Sequence, residues 1–312
     1  MKKIVVTGAA GLVGQNLIPL LIQKGYSVVG IDKNNNNLNL LKKLNPKVEI
    51  IHADMSKPGF WELNFDRAYA IVQLQAQIAA KTKEPFEKNN ITAVKNVVKA
   101  CKKHKIKNLV HLSSSVVISV ADDDYTRTKT VGEEIVKKSK IPCTILRPPL
   151  MYGCFDVKHL GWIAKLMEKS PVIPIPGKGD FIRQPLYVKD MCKIILKCIE
   201  RGPTNKIHNV IGLERIKYIE LLRKIANKNN MSRIFLKMPT SLFGIMMNVY
   251  AFITHKPAFT EDQMKALIAG DDFPVEDWEK EFGVKYTTFE KGITETVKSL
   301  CYKYRKEMIS PH

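Results

Sequence analysis

Residues 7–14 read Thr-Gly-Ala-Ala-Gly-Leu-Val-Gly, between an apolar, β-branched run and an apolar pattern of helical spacing at 12–24. A glycine-rich turn that joins a strand to a helix is the local structure that binds the pyrophosphate of a dinucleotide. Gly8 allows a tight turn, Gly11 admits the pyrophosphate against the backbone, and Gly14 lets the helix pack against the sheet. The stretch predicts a dinucleotide-binding unit whose helix N-terminus faces the phosphates.

Downstream, short apolar runs alternate with helical patterns as far as Arg147. The runs are continuously apolar, which is typical of parallel strands buried on both faces and predicts a doubly wound α/β fold. After Arg147, loops rich in proline and glycine interrupt this alternation of strands and helices. We therefore expect a cofactor-binding domain at 1–150 and a smaller, mainly substrate-binding lobe at 151–312, some of whose elements return to the first core. The predicted strands are 3–7, 27–32, 48–52, 68–74, 108–113 and 142–147, and the predicted helices are 12–24, 89–104 and 125–138.

The composition is that of a globular protein with a strong positive charge. Of the 312 residues, 45% are hydrophobic and 26% are charged, which excludes disordered and fibrous classes. Lysine and arginine number 50 against 30 aspartates and glutamates, a net charge of +20. The lysines are spread along helix patterns without a zinc-finger, RNP-type or basic-zipper motif, so we predict solvated helix faces and no nucleic-acid partner. An acidic partner is the alternative.

The cysteine spacing bears on metal binding and on compartment. The six cysteines include no C-x-x-C pair, so neither a disulfide framework nor a metal site is predicted. The first predicted strand begins within three residues of the N-terminus, where a signal peptide would otherwise lie. We therefore expect a cytoplasmic protein.

Asp32 ends the second predicted strand, where a carboxylate accepts both ribose hydroxyls of an adenosine and repels a 2′-phosphate. NAD is therefore favoured over NADP, although the neighbouring Lys33 would tolerate the phosphate. Asp54 follows the third strand, and it either lies near the adenine or is the N-cap of a helix before Ser56.

A second group of residues suggests acid–base chemistry. Ser113, Ser114 and Ser115 end a predicted strand, and Tyr125 and Lys129 share one face of the following helix at i and i+4. An ammonium beside a phenol lowers the pKa of the phenol, so that the tyrosine can exchange a proton with a substrate hydroxyl during hydride transfer. Ser115 would hydrogen-bond the same substrate oxygen.

Together these motifs resemble those of the extended short-chain dehydrogenase/reductases, the family of nucleotide-sugar epimerases and dehydratases. Residues 71–74 stand where the family shows V-I-H-L-A, and residues 183–190 match its R-D-Y-I-H-V-x-D. The resemblance implies a Rossmann fold, NAD, and Ser115, Tyr125 and Lys129 as the catalytic triad. It implies substrate contacts at Asn90, Ser115 and Arg183, where Arg183 would hold a substrate diphosphate or form a salt bridge at the rim of the site. It implies cofactor contacts at Gly8, Ala10, Gly11, Leu12, Val13, Asp32, Asp54, Met55, Leu74, Gln75, Asn90, Ser113, Tyr125, Lys129 and Pro148.

Three features depart from the family pattern. Ser115 and Tyr125 are unusually close in sequence, Pro149 replaces an asparagine that contacts the UDP-sugar, and Gln75 replaces a small alanine. The short connection and the stretch Ala258–Gln263 resemble atypical members, which include relatives of a nucleotide-binding accessory subunit of respiratory complex I. Some atypical members bind the dinucleotide without known turnover.

The favoured interpretation is an NAD-dependent epimerase or dehydratase, an oxidoreductase or isomerase, that acts on a nucleotide-sugar through Tyr125. The alternatives are a dinucleotide-binding scaffold and a dehydrogenase of a non-sugar alcohol. The family resemblance also implies a homodimer through helices 89–104 and 125–138.

The longest apolar run, Leu242–Thr254, is too short to span a bilayer. We expect it to form a helix over the substrate pocket. A helix that lies on a membrane surface is the alternative.

Overall fold

A sheet of seven parallel strands lies at the centre of the computed structural model, which describes residues 1–120, 122–253, 267–268, 270 and 272–298. The strands are β1 (Lys3–Thr7), β2 (Ser27–Asp32), β3 (Glu49–His52), β4 (Ala70–Gln73), β5 (Leu109–Leu112), β6 (Cys143–Arg147) and β11 (Ile207–Asn209). Their spatial order is β11-β6-β5-β4-β1-β2-β3. The doubly wound α/β fold is therefore confirmed, and the six predicted strands are found to within two residues.

Helices cover both faces of this sheet, and other helices pack in the C-terminal half. They are α1 (Leu12–Gln23), α2 (Asn35–Leu44), α3 (Glu84–Phe86), α4 (Ala93–Lys103), α5 (Asp124–Lys138), α6 (Leu160–Lys169), α7 (Val188–Arg201), α8 (Tyr218–Lys228), α9 (Thr240–Ile253), α10 (Trp278–Phe282) and α11 (Phe289–Lys298). The helix predicted at 89–104 begins earlier, because a π-helical segment, Glu87–Thr92, joins α3 to α4. The segments Phe60–Phe65 and Ser115–Ile118 are 3-10 helical.

Alternate residues of β1 show why the strands are apolar throughout. Ile4 and Val6 belong to one hydrophobic cluster with residues of α1 and α7, whereas Val5 belongs to a second cluster with residues of α4. Since successive side chains of a strand point to opposite faces, each residue of β1 is buried on one face or the other.

The strand order reverses between β1 and β4, which are hydrogen-bonded neighbours. At such a point the connections leave in opposite directions and open a crevice at the carboxyl ends of the strands. Gly8 follows β1 and Leu74 follows β4, so the glycine turn and the residues after β4 meet at this crevice.

Elements after residue 150 form three small sheets and also return to the central one. The small sheets pair β7 (Met151–Tyr152) with β10 (Leu186–Tyr187), β9 (Ile182–Arg183) with β12 (Ile216–Lys217), and β8 (Val172–Pro176) with β13 (Ile234–Met238). Strand β11 joins the central sheet beside β6, and α7 packs against α1. The division at residue 150 stays a prediction.

Several further predictions concern particular segments. Ala258–Gln263 lies outside the described residues. Within the described ranges, no helix has the length and apolarity to cross a membrane, and no three His, Cys, Asp or Glu side chains group as metal ligands.

Cys101, Cys143, Cys192 and Cys198 are free thiols, whereas Cys154 forms a disulfide that the cysteine spacing did not predict.

Candidate active site

The glycine turn after β1 is packed too tightly for side chains at two positions. Gly8 has φ +73°, and a Cβ there would lie 2.5 Å from the backbone nitrogen of Gln75. Its N–H donates to the Ile31 carbonyl at 2.9 Å. A Cβ at Gly14 would lie 2.3 Å from the Ala9 carbonyl oxygen. The structure thus shows the tight turn at Gly8 and the close helix packing at Gly14 that the sequence predicts.

Gly11 has a different environment, which fits a phosphate. A Cβ at Gly11 would meet only the Gly8 carbonyl oxygen, at 3.4 Å, so the protein does not fill the space in front of this glycine. No side chain in the described part of the chain caps the first turn of α1, where the N–H groups of Leu12 and Val13 lie. Free N–H groups at a helix N-terminus attract an anion. The turn can therefore hold the pyrophosphate of NAD.

Gln75 adds a polar group at the same crevice. Its Oε1 accepts a hydrogen bond from Thr7 Oγ1 at 2.5 Å, while its Nε2 is buried and has no hydrogen-bond partner among the described residues. A buried donor without a partner costs free energy unless a ligand or water satisfies it. Gln75 therefore suits a contact with the cofactor, as predicted, although the sequence departs from the family there.

The Asp32 carboxylate ends β2 and accepts hydrogen bonds from the backbone N–H groups of Ala10 and Asn34, at 3.0 and 2.9 Å. Burial raises the pKa of Asp32, against the effect of these hydrogen bonds and of Lys33. Each carboxylate oxygen keeps a lone pair for a ribose hydroxyl. The Lys33 ammonium donates to Asn89 Oδ1 at 2.9 Å. The cation that could offset the charge of a 2′-phosphate is therefore already hydrogen-bonded within the protein.

Asp54 caps a turn. Its Oδ1 accepts hydrogen bonds from the N–H and the hydroxyl of Ser56, at 3.0 and 2.7 Å, and Lys88 lies 3.4 Å from its Oδ2. Burial raises the pKa of Asp54, but the Ser56 hydrogen bonds and Lys88 together outweigh it, and the net shift is downward. Met55 is buried, and its carbonyl accepts a hydrogen bond from Asn96 at 2.9 Å. The helix N-cap predicted as the alternative is wrong, because residues 55–56 form a turn and no helix begins there. Contact of Asp54 or Met55 with the adenine stays a prediction.

Ser113 belongs to a buried network below the crevice. Its hydroxyl donates to Glu133 Oε2 at 2.6 Å, and Arg147 donates to the two oxygens of Glu133 through Nε at 2.9 Å and Nη2 at 2.5 Å. The network links β5, α5 and β6. The Ser113 side chain, predicted to contact the cofactor, is used inside the protein.

Tyr125 and Lys129 lie one turn apart on α5, as predicted. Lys129 Nζ donates to the Leu112 carbonyl at 2.9 Å, and burial lowers the pKa of Lys129 to about 8. Burial also raises the pKa of Tyr125, and Asp123 raises it further. The prediction that Lys129 lowers the pKa of Tyr125 is wrong for this structure, because the ammonium is bonded to β5 and burial favours the neutral form of each group.

The three serines after β5 differ in their contacts. Against the effect of burial, a side-chain hydrogen bond with Ser114 lowers the pKa of Tyr125. Ser115, the predicted member of the triad, is buried, and its N–H donates to the Pro148 carbonyl at 2.8 Å. Sequence reasoning chose the third serine from the family motif and missed Ser114, for which the serine run was the only signal.

Asn90 lies in the π-helical segment, and its amide is used within the protein. Nδ2 donates to the Gln77 carbonyl and to Thr128 Oγ1, both at 3.0 Å, and Oδ1 accepts from the Gln77 N–H at 2.8 Å. Since both amide hydrogens are engaged, Asn90 cannot donate to a ligand here. Asn90 therefore links the segment after β4 to α5, and its predicted contacts with substrate and cofactor stay predictions.

Arg183 lies on β9, is buried, and pairs in register with Ile216. Burial lowers the pKa of His159, against the effect of Asp156, and Lys158 and Arg183 add to the shift, so both cations lie within electrostatic reach of a neutral imidazole. Burial also lowers the pKa of Lys158 to about 8, and Lys33 lowers it further. Sequence reasoning missed Lys158 and His159, which belong to no motif.

Asp156 holds this segment at the start of α6. Its Oδ1 accepts the N–H groups of Lys158 and His159 at 3.1 and 3.0 Å, and its Oδ2 accepts the N–H of Gly161 at 2.9 Å. A Cβ at Gly161 would lie 1.6 Å from the Asp156 carbonyl oxygen, so only glycine fits there. The loop therefore fixes the positions of Lys158 and His159.

Comparison with known proteins places this geometry in context. The chain is 22% identical over 261 residues to the ceramide reductase of Caulobacter vibrioides, which covers 82% of this chain and 80% of that protein. It is 23% identical over 225 residues to the mitochondrial NADH dehydrogenase (ubiquinone) 1 alpha subcomplex subunit 9 of Dictyostelium discoideum, covering 70% of this chain and 62% of that one. The crystal structure of UDP-glucuronic acid 4-epimerase from Bacillus cereus in complex with NAD has the same fold. It matches with a TM-score of 0.72 at 21% identity, over 98% of this chain and 99% of that chain.

The model of one protein family also matches the sequence. It is the NAD dependent epimerase/dehydratase family, and the match covers residues 4–211, more than half of the 312-residue chain. These residues include the glycine turn, the serine run, Tyr125, Lys129 and Arg183. The chain therefore belongs to the NAD dependent epimerase/dehydratase family, as its motifs predict, and is an NAD-dependent enzyme.

Proposed function

We propose that the chain oxidises and reduces a nucleotide-sugar at a hydroxyl carbon, with Tyr125 as the acid–base group. The observation that carries the proposal is the placement of Tyr125, Lys129 and the serine run at the carboxyl end of β5, in the same sheet as a glycine turn that fits a pyrophosphate. In doubly wound folds the carboxyl ends of the strands form one ligand-binding edge.

The residues then divide the chemistry. NAD, when bound, supplies the hydride acceptor. On oxidation the Tyr125 oxygen, as a phenolate that has first released its own proton to solvent, takes the proton of the substrate hydroxyl, and on reduction the phenol returns a proton to the carbonyl oxygen. Ser115 and Ser114 stabilise charge at the reacting oxygens, and Lys129, fixed by the Leu112 carbonyl, provides a positive charge beside the site.

The proposed substrate class rests on the cations of the C-terminal half. Lys158 and the neutral His159 precede α6, and the Arg183 guanidinium of β9 lies within electrostatic reach of His159. A diphosphate requires such a set, because a guanidinium fork and ammonium groups offset its charge where water is excluded. These residues support a nucleoside diphosphate as the anchoring part of the substrate.

A dehydrogenase of a non-sugar alcohol is the second candidate. Pro149, which stands where the family has an asparagine against the UDP-sugar, is buried and offers no side-chain amide. In addition, one relative is named a ceramide reductase. This candidate keeps the roles of Tyr125 and Lys129 and changes only the anchoring of the substrate.

The deciding experiment incubates the purified protein and NAD with a panel of UDP-, GDP- and dTDP-sugars and of simple alcohols. NADH absorbance detects net oxidation, and NMR of the sugar detects inversion or loss of water. We expect turnover with at least one sugar nucleotide and none in Tyr125→Phe. Turnover of alcohols alone would establish the second candidate, and tight NAD binding without any turnover would instead indicate a scaffold.

We also propose a homodimer through the α3–α4 region and α5, which pack against each other. Val131 of α5 is 43% exposed and so offers an apolar contact to a second copy. A cytoplasmic location remains a proposal of the same kind.

A further inference from the structure

Exposed apolar side chains are concentrated on three neighbouring elements of the C-terminal half. Of the thirteen exposed large hydrophobic side chains among the described residues, six lie on β8, β13 and α9. We call these six the apolar face; they are Val172, Ile234, Leu236, Leu242, Ile245 and Val249. Scattered exposed apolar residues are normal, but a contiguous group marks an interaction site.

The strand residues of the apolar face point to one side. Ile234, Leu236 and Met238 alternate along β13, and Val172 stands beside Ile234 in the parallel register with β8. Residues two apart on a strand share a face, as do paired neighbours. Met238 packs against Phe243 of α9. Helix α9 therefore covers one end of this sheet face and leaves the rest uncovered.

Helix α9 continues the same surface. Phe243 and Met247 are buried toward the protein, whereas Leu242, Ile245 and Val249 recur at helical spacing on the outer side. Ile245 is 61% exposed and Ile234 is 65% exposed. The helix is thus apolar on both sides, although 14 residues are too few to span a bilayer.

Positive charge accompanies this surface. Residues 221–260 contain no aspartate or glutamate, Arg233 precedes β13, and Lys169 and Lys178 flank β8. None of these three cations forms an ion pair with a carboxylate in the part of the chain that the structure describes. The nearby acidic residues in sequence are Glu168 and Asp180, and the whole chain carries +20.

We propose that the apolar face docks on the surface of an anionic lipid bilayer. Apolar side chains that enter the interface between headgroups and acyl chains, with cations around them, are what peripheral binding to acidic membranes requires. A neutral protein partner would match the apolar side chains but not the surrounding charge. The inference goes beyond the proposed reaction and does not rest on it.

The test is co-sedimentation of the full chain with phosphatidylcholine vesicles, with and without phosphatidylglycerol. We expect binding to the anionic vesicles, weakened by salt because the attraction is screened. Ile245→Ser with Val249→Ser should weaken it about tenfold or more, since two side chains lose their burial in the interface. The matched control, Leu63→Ser with Val275→Ser, alters equally exposed side chains outside the apolar face and should bind like the wild type.

A charge series completes the test. Lys169→Gln with Lys178→Gln should weaken the preference for anionic vesicles, whereas Lys95→Gln with Lys99→Gln in α4 should not. Circular dichroism and NADH binding verify that each variant folds. The proposal is overturned if the wild type does not bind anionic vesicles. It is also overturned if Ile245→Ser with Val249→Ser leaves vesicle binding unchanged but lowers the mass of the protein in solution, because the apolar face would then be a contact between copies.

Discussion

Tyr125 and Lys129 show how burial changes what two residues of a motif do. The i, i+4 spacing places them on one helix face, but the Lys129 ammonium is bonded to the Leu112 carbonyl and a hydrogen bond with Ser114 opposes the effect of burial on Tyr125. The motif identifies the residues, whereas their charge states depend on the surrounding protein.

Replacement of Tyr125 by phenylalanine keeps the ring and removes the hydroxyl. Turnover should fall by about 10² or more, the usual loss for a general acid–base group. NAD affinity and stability should barely change. Stopped-flow turnover and NADH fluorescence titration measure these effects, with Tyr26→Phe as the control. Wild-type turnover in Tyr125→Phe would refute the mechanism.

Lys129 should make stability depend on pH in a predictable direction. Burial lowers its pKa from 10.5 to about 8, so between these values the folded chain binds fewer protons than the unfolded chain. Stability therefore rises with pH across that window. Relative to Lys129→Met, the wild type should gain about 2 kcal/mol of unfolding free energy from pH 8 to pH 10 in urea titrations. Lys137→Met, on the exposed side of α5, should show no such difference.

The same Lys129→Met variant should lose turnover and NAD affinity together. Combined with Tyr125→Phe, its loss of turnover should be less than additive, because the two residues act as a unit. Additive losses would mean that the two side chains act independently.

Asp32 should decide the choice of cofactor. Its carboxylate repels a 2′-phosphate, and Lys33 is held by Asn89, so the wild type should bind NADH more tightly than NADPH. Asp32→Ala should narrow the ratio of the two dissociation constants, measured by fluorescence titration, while Asp66→Ala should leave it unchanged. Equal affinities in the wild type would contradict this use of the carboxylate.

At the scale of elements, Glu133 connects α5 to two strands. Because Glu133 is buried and raises the pKa of Lys129, Glu133→Gln should lower stability by about 3 kcal/mol, the usual cost of breaking a buried pair. Because the Lys129 ammonium supports NAD binding, NAD affinity should fall as the pH rises through the Lys129 pKa. Glu133→Gln lowers that pKa and should therefore move the fall in NAD affinity to lower pH. The control is Glu134→Gln, the exposed neighbour that pairs with Lys137. A change in stability without the shift in pH would leave Glu133 a purely structural role.

Helix α2 shows why some elements escape prediction. Its sequence is rich in asparagine, which disfavours helix interiors, yet Leu38 and Leu41 are fully buried and Asn34 accepts the Asn37 N–H at 3.1 Å as a cap. Burial of one face outweighs the low propensity. Tertiary packing of this kind cannot be seen from local composition.

At the scale of the whole molecule, the proposed dimer would bring α5 of one copy against its partner. Val131→Glu should convert a dimer into a monomer in sedimentation velocity, since an unpaired charge would be buried in the contact. Val275→Glu, at an exposed site elsewhere, should leave the mass unchanged. A monomeric wild type would refute the dimer.

The sequence by itself determined six of the seven strands of the central sheet, the glycine turn and the family. Apolar runs and glycines are local signals: Gly8 and Gly14 are required by contacts within one strand–turn–helix unit and its neighbour, and the periodicity of each strand follows from burial on both faces.

Only the tertiary structure decided how the site residues are used. Asn90, Ser113 and Lys129 match motif positions, yet each donates hydrogen bonds to groups that are distant in the sequence. Hydrogen bonds to Asp156 position Lys158 and His159 within electrostatic reach of Arg183. The apolar face forms where β8, β13 and α9 meet. The physical reason is that burial and hydrogen-bond partners are properties of the packed chain, and they set the charge and orientation on which function depends.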